Sequence, residues 1–163
     1  MSKQGASNHE SRRALALARR YLRFGTRSTA QLLVYLQEHR IPARLIETLI
    51  TDCTRDGLLD DRACAKLWAT SLADRGYAWA AIREQLLAKG LAEGLVTQVI
   101  ALLQARASDE VRARAVVQER VRGRAGNDQR LRARVARFLS QRGFDSGLID
   151  RVLTEALGPT SDS

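Results

Sequence analysis

The chain of 163 residues offers few side chains whose type and spacing suit acid–base or nucleophilic chemistry. The adjacent carboxylates Asp60 and Asp61 could serve as a catalytic pair, but an apolar pattern of helical spacing follows them directly. Because aspartate favours the N-cap and the first turn of a helix, we interpret the two as those structural elements. His9 and His39 have no Ser, Cys or carboxylate spaced to work with them, so neither predicts a catalytic site.

The two cysteines predict packing instead of metal or disulfide chemistry. Cys53 and Cys64 lie eleven positions apart, with no Cys-x-x-Cys spacing and no neighbouring His. Two buried thiols in a cytosolic protein are the simpler interpretation. A phosphate-cradling glycine loop is also missing from the sequence. We therefore expect no enzyme, no cofactor and no metal site.

The arginines of the chain are concentrated in two blocks. The formal net charge of +9 is uneven: residues 1–27 carry +6 and residues 106–142 carry +7, while residues 28–105 and 143–163 carry −1 and −3. Such blocks attract polyanions, and Arg suits bidentate contacts to phosphate or carboxylate, although a merely solvated face is the alternative. The predicted partner- or DNA-binding faces comprise Arg12, Arg19, Arg20, Arg23, Arg112, Arg114, Arg120, Arg122, Arg124, Arg130, Arg132, Arg134 and Arg137.

An internal repeat predicts the elements that position these arginines. Shifting the chain by fifty residues pairs Leu36 with Leu86 and Ile50 with Ile100. A shift of fifty-three then pairs Leu86 with Leu139. Ala, Leu, Arg, Gln and Glu dominate, and they are good helix formers. The sequence therefore predicts an all-α protein of three tandem copies of a roughly fifty-residue unit.

Apolar residues recur at three- and four-residue spacing within each copy, which predicts three helices per copy. Ser28 and Gln31 form a capping-box pattern before the second helix of copy one, and Asp145 is an expected cap near the end of the chain. Helices are expected at about 42–53, then 61–74, 78–89 and 92–105, and finally 109–122, 128–142 and 145–157.

The predicted division is a flexible N-terminus over residues 1–10, three repeats, and a flexible tail. Because each unit is small, neighbouring copies are expected to share apolar surface and to form an elongated, curved array. The three repeats are predicted at 11–57, 58–107 and 108–158, with the tail at 159–163.

A glycine before the third helix gives copies two and three a resemblance to a DNA-binding helix-turn-helix. Gly90 and Gly143 are followed six positions later by Val96 and Ile149, whereas Arg40 replaces the glycine in copy one. Any tight helical corner has the same needs, so the signal is weak. A helix that reads the major groove presents basic or amide side chains. None of the three third helices is basic, which disfavours that mode.

Two aromatic residues open the second helix of copy two. Tyr77 and Trp79 align with polar residues in the other copies, so one of them is a candidate exposed anchor for a partner. Local packing is an equal alternative. With no apolar run near the ~18 residues of a membrane span and no signal-peptide core, the chain is expected to be cytoplasmic, without membrane or small-molecule partners.

The stretch from Gly57 to Gly90, GLLDDRACAKLWATSLADRGYAWAAIREQLLAKG, resembles the RecX family of regulatory proteins. The matching pattern is Gly-x-Leu-Asp-Asp, an Ala and an aromatic, Arg-Gly, then Ile-x-x-x-Leu and a turn Gly. Cys64 and Arg40 depart from it. The matching residues look structural and do not locate a contact surface: Leu59, Asp60, Asp61, Arg75, Gly76, Ile82, Leu86 and Gly90.

The resemblance implies a modulator of the recombinase RecA. Members of the family bind within the groove of the RecA–DNA filament and inhibit its ATPase, strand exchange and extension. They thereby regulate recombination, DNA repair and the SOS response. The implied partner is the RecA filament, with DNA contacted weakly and without sequence preference. The alternatives are a direct DNA-binding helix-turn-helix protein that acts without RecA, and a helical scaffold that has only protein partners.

Overall fold

The computed structural model describes residues 3–123 and 128–159, which are helical almost throughout. Three helices make each repeat: α1–α3 form repeat 1, α4–α6 repeat 2 and α7–α9 repeat 3. The helices within those ranges are α1 Lys3–Arg23, α2 Thr29–Glu38, α3 Ala43–Arg55, α4 Asp61–Asp74, α5 Trp79–Ala88, α6 Glu93–Gln104, α7 Asp109–Val121, α8 Gln129–Gln141 and α9 Ser146–Leu157.

Side-chain caps begin several helices where the sequence places them. Ser28 and Gln31 form the predicted capping box before α2, with Gln31 N donating to Ser28 Oγ at 3.2 Å and Ser28 N donating to Gln31 Oε1 at 3.1 Å. Asp60 caps α4 and Asp145 caps α9. Asp61 occupies the first turn of α4. The adjacent carboxylates are therefore helix-start residues, as interpreted.

Two helices begin at residues that the sequence pattern did not indicate. Helix α1 begins at Lys3, within the segment 1–10 whose flexibility stays a prediction. Its first turns carry no apolar stripe, so periodicity gave no sign of them, yet no proline interrupts the backbone hydrogen bonds. Pro42 is the N-cap of α3 and stands just outside the helix.

Each repeat closes a hydrophobic core of its own, and neighbouring copies share apolar surface at their junctions, as expected. Three crossing helices bury the apolar stripes locally, and sharing is confined to Leu59, which joins the first core, and Ala78, which joins the third. The chain exposes 10,705 Å², against about 8,100 Å² for a compact protein of this mass. The three cores are centred on Leu32, Leu36 and Ile46, on Ile82, Leu86 and Val96, and on Val135, Leu139 and Ile149.

The same backbone cap joins each repeat to the next. The first N–H groups of a helix have no partner within the helix. In repeat 1, Thr29 N donates to Asp61 Oδ1 of repeat 2 at 2.8 Å. In repeat 2, Trp79 N donates to Asp109 Oδ1 of repeat 3 at 3.0 Å. The first-turn acid of each following repeat therefore caps the second helix of the preceding one.

A second contact recurs one turn further along the first helix of the following repeat. The Cys64 thiol donates to the carbonyl of Arg27 at 3.1 Å. At the next junction the Arg112 guanidinium donates to the carbonyl of Tyr77. Each donor lies three residues after the capping acid, and each carbonyl lies two residues before the capped N–H. The two junctions therefore have equivalent geometry although their side chains differ.

The turn glycines allow the close approach of successive repeats. Gly90 and Gly143 have φ of +80° and +84°, and each lies against the second helix of the preceding repeat. A methyl group on Gly90 would lie 2.5 Å from Ala30 Cβ, and one on Gly143 would lie 2.7 Å from Ala81 Cβ. These glycines therefore serve the junctions between repeats as well as the turns. Arg40, at the same turn of repeat 1, also has a positive φ of 57°.

The carbonyl before each turn glycine accepts a hydrogen bond from the preceding repeat. Ser28 Oγ donates to Lys89 O at 2.9 Å, and Ala78 N donates to Arg142 O at 2.9 Å. Ser28 is fully buried, so its hydroxyl finds its partner within the junction. Hydrogen bonds from backbone and short side chains thus fix the orientation of one repeat on the next.

The Gly143→Ala variant is expected to lose about 2 kcal/mol or more of unfolding free energy. The left-handed backbone costs an L-residue about 1–2 kcal/mol, and the added methyl group clashes with Ala81. The matched control is Gly94→Ala, because Gly94 lies in α6 with nothing near its Cβ position. Urea unfolding should show the control unchanged or stabilised by up to about 1 kcal/mol. Equal stability of the two variants would contradict the close junction.

Candidate functional site

The first predicted basic face is exposed on α1. Arg12, Arg19, Arg20 and Arg23 are all solvent-exposed, and helical spacing places them on the side opposite the buried Ala14 and Ala18. None of these four arginines forms an ion pair with a carboxylate of residues 3–123 or 128–159. The face therefore presents unneutralised guanidinium groups to solvent.

An exposed aromatic side chain adjoins this face, and sequence reasoning missed it. Phe24 is 67% exposed, and the Arg23 guanidinium lies over its ring at 5.4 Å from the centroid. Phe24 directly follows α1 and precedes Gly25, outside the apolar stripe that packs into the core. Its position after the last residue of the apolar periodicity of α1 is the feature of the sequence that indicates an exposed ring. An aromatic ring beside arginines suits stacking against a base or a partner side chain.

The second predicted basic block, residues 106–142, contains exposed arginines and arginines that bind other groups of the protein. Arg114 is neutralised by Glu110 at 2.7 Å and by Glu155 at 2.9 Å. Hydrogen bonding to Glu155 raises the pKa of Arg114 and lowers that of Glu155. Arg124 lies outside the described residues. The exposed members are Arg120, Arg122, Arg130, Arg134 and Arg137.

Two predicted binding arginines are structural. The Arg112 side chain is only 11% exposed and donates to Asp109 and to the carbonyls of Ala73 and Tyr77. Burial lowers its pKa from the ordinary value, although Asp109 opposes the change. Arg132 donates to the carbonyls of Leu153 and Gly158 and so satisfies the end of α9. Both guanidinium groups bind backbone carbonyls that are distant in the sequence, so local spacing could not predict these contacts.

The structure buries one member of the predicted aromatic anchor pair. Trp79 is 5% exposed, and its Nε1 donates to Ala107 O at 2.9 Å, at the end of repeat 2. The Arg112 guanidinium of repeat 3 lies over the same ring at 4.4 Å. Trp79 therefore packs locally, and a contact between the half-buried Tyr77 and a partner stays a prediction.

A groove of about 990 Å³ lies between repeats 2 and 3. Guanidinium groups of its lining lie over Phe138 in the groove and over the neighbouring Tyr77: Arg120 over Phe138 at 3.4 Å, Arg142 over Phe138 at 3.8 Å and over Tyr77 at 5.2 Å, and Arg75 over Tyr77 at 5.5 Å. The groove is lined by five arginines and two acids, with aliphatic side chains among them. The arginines are Arg75, Arg106, Arg112, Arg120 and Arg142, and the acids are Asp74 and Glu119.

The cysteines are buried thiols, as the sequence predicted. Cys53 and Cys64 are 3% and 4% exposed, and neither forms a disulfide. Burial, reinforced by Asp61 and Asp60, raises the pKa of Cys64 to about 11. Within residues 3–123 and 128–159, no group of three or more His, Cys, Asp or Glu side chains could hold a metal ion. No helix in the same ranges is long and apolar enough to cross a membrane.

Tandem three-helix units joined by recurring junctions, with arginine-rich outer surfaces, define a helical-repeat protein. Residues 108–153 match the family described as RecX, third three-helix domain. The Regulatory protein RecX of Streptomyces coelicolor is 31% identical over 147 residues, covering 88% of this chain and 77% of the relative. That of Pseudomonas entomophila is 31% identical over 119 residues, covering 73% of this chain and 76% of the relative. The chain therefore belongs to the RecX family of regulatory proteins.

Solved structures support the same fold. The crystal structure of RecX from Lactobacillus salivarius superimposes with a TM-score of 0.73 at 15% identity, covering 91% of this chain and 97% of that one. A second crystal structure, of a regulatory protein RecX, gives a TM-score of 0.68 at 19% identity and covers 90% and 73% of the two chains. The nine helices described above thus follow the architecture of known RecX structures.

The Arg112→Gln variant is expected to lose about 2–3 kcal/mol of unfolding free energy, because two buried carbonyls and Asp109 lose their donor. The control is Arg130→Gln, which removes one positive charge from an exposed position and should stay within about 0.5 kcal/mol of wild type. Denaturant titration measures both. A loss confined to Arg130→Gln would contradict the structural role of Arg112.

Alkaline pH is expected to destabilise the fold through Cys64. Because its pKa rises from 9.0 to about 11 on folding, the protonated thiol contributes stability that is fully present below pH 9 and is lost as pH rises through 11. Unfolding free energies measured across that window should fall more steeply for wild type than for Cys64→Ala. Identical slopes would contradict the buried, protonated state of the thiol.

Proposed function

We propose that this protein binds the RecA–DNA filament and inhibits the RecA ATPase, strand exchange and filament extension. It would thereby regulate homologous recombination, DNA repair and the SOS response in the cytoplasm. The observation that carries the proposal is membership of a family of regulatory proteins, combined with arginines that stay unneutralised on the outer surface of the repeats. A nucleoprotein filament offers phosphate and protein carboxylates together, and arginine binds both.

The α1 face is the proposed DNA contact. Its four exposed arginines suit contacts to backbone phosphates, which carry no sequence information, so they favour binding without sequence preference. Phe24 adds an exposed ring on which a base of single-stranded DNA can stack. This combination of cations and an exposed aromatic ring is typical of single-strand binding surfaces.

The helix-turn-helix alternative is less well supported by the third helices. Arg44 is the one basic residue in the first two turns of α3, and α6 has none. In α6, Glu93 pairs with Arg83 at 2.6 Å and Gln98 accepts from Arg62 at 2.7 Å. Polar side chains that would read base edges are thus engaged within the repeat.

The test measures ATP hydrolysis by RecA on single-stranded DNA while the purified protein is added. Wild type is expected to lower hydrolysis at substoichiometric amounts. The Arg19→Glu/Arg23→Glu variant should require at least about tenfold more protein, since two charge reversals each cost on the order of 1 kcal/mol. Its matched control is Arg44→Glu/Arg151→Glu, which reverses two exposed charges on α3 and α9.

The outcomes separate the candidate functions. No inhibition by wild type at equimolar RecA rejects the proposal. Tight, sequence-selective binding to duplex DNA without RecA supports the helix-turn-helix alternative, whereas weak and salt-sensitive binding opposes it. Full inhibition by Arg19→Glu/Arg23→Glu points to a scaffold with only protein partners, or to the other arginine surface as the essential one.

A further inference from the structure

Beside the groove between repeats 2 and 3 stands a valine at a position that carries a tryptophan in the preceding repeat. Trp68 and Val116 each lie seven residues after the capping acid of their repeat. In repeat 2 the indole of Trp68 packs against the core of that repeat and lies under the Lys89 ammonium at 4.7 Å. In repeat 3 Val116 takes the equivalent position and lines the open groove beside Arg142, the counterpart of Lys89. The groove is thus lined by a small side chain where the preceding repeat has a large one.

Two arginines of the groove, Arg120 and Arg142, are oriented by contacts within the protein. Arg142 stacks between the rings of Phe138 and Tyr77 and donates its Nε to the carbonyl of Arg75 at 2.9 Å. Arg120 covers the other side of Phe138. A stacked guanidinium keeps its N–H edge directed outward, so less rotamer freedom is lost when an anion binds. The groove is therefore prepared for bidentate contacts to oxyanions.

The covered rings argue against nucleic acid as the occupant. Single-stranded nucleic acid binds on aromatic faces that are free to stack with bases. Here Phe138 and Tyr77 each have two of the protein's own guanidinium groups over the ring, whereas Phe24 has one, at 5.4 Å, and is 67% exposed. Leu103, Val116 and three alanines instead give the groove an aliphatic lining. Such a lining suits an apolar amino-acid side chain.

We propose that this groove binds an acidic peptide segment of a protein partner, with carboxylates on Arg106, Arg120 and Arg142 and one apolar side chain against Val116. Arginines outnumber acids in the groove, so its charge complements such a segment. This inference rests on the proposed function in one respect: it assigns the segment to the protein component of the regulated filament. The occupant's chemistry follows from the groove alone.

The test uses a short fluorescein-labelled peptide of alternating glutamate and glycine with one central leucine. Anisotropy should show binding to wild type that weakens with added salt. Val116→Trp, which introduces the tryptophan found at the equivalent position of repeat 2, should weaken binding about tenfold by filling the groove without changing its charge. Arg106→Glu should weaken it at least as much, and this exposed position leaves the core intact. The control, Arg44→Glu, should bind as wild type.

Each result supports or overturns the proposal. Wild-type affinity in both Val116→Trp and Arg106→Glu overturns it, and so does the absence of measurable binding to wild type. Displacement of the peptide by oligothymidylate, together with loss of oligothymidylate binding in Val116→Trp, overturns it in favour of nucleic acid. If wild type still inhibits RecA while the peptide fails to bind, the groove inference fails and the proposed function stands. If the peptide binds wild type but wild type does not inhibit RecA, the proposed function fails and the groove inference stands.

Discussion

The array depends on one hydrogen bond that recurs between successive repeats, from the first N–H of a second helix to the first-turn aspartate of the next repeat. Asp61 and Asp109 each serve two helices, because the carboxylate interacts favourably with the N-terminus of its own helix while it caps the neighbour. Since both groups are tied to backbone geometry, the orientation between repeats is set without a shared core. This explains how three repeats with separate cores can keep a defined orientation to one another.

Side chains vary around this constant backbone frame, and their variation creates the differences between junctions. A thiol at Cys64 and a guanidinium at Arg112 satisfy equivalent carbonyls, but only the guanidinium also covers an indole ring. Likewise Trp68 in repeat 2 occupies the position equivalent to Val116, which lines the groove in repeat 3. The frame tolerates such exchanges because the hydrogen bonds that orient the repeats come largely from main chain and short side chains. Divergent surfaces can therefore arise on nearly identical units.

Local rules account for what the sequence predicted, and long-range contacts account for what it missed. The capping box of Ser28 and the cap by Asp60 depend on neighbours three residues away, so both were predictable. The burial of Trp79 depends on Ala107, twenty-eight residues away, and on Asp109 of the next repeat, which no local pattern reports. Arg112 was assigned to a solvent face because charge usually implies exposure. Its partners are carbonyls that only the tertiary fold brings near.

The exposure of aromatic rings distinguishes the two cationic surfaces more sharply than their charge does. Both are rich in arginine, and in bulk each would attract any polyanion. At the end of α1 the Phe24 ring is 67% exposed and has one guanidinium over it, so a base can add stacking to the phosphate contacts. In the groove the rings orient guanidinium groups and are no longer free, so selectivity there must come from bidentate contacts and aliphatic packing. Under the proposed function, a filament of DNA and protein presents two anionic polymers at once. Because base stacking is possible at the α1 face and oriented guanidinium groups lie in the groove, one chain can bind DNA at the first surface and protein carboxylates at the second.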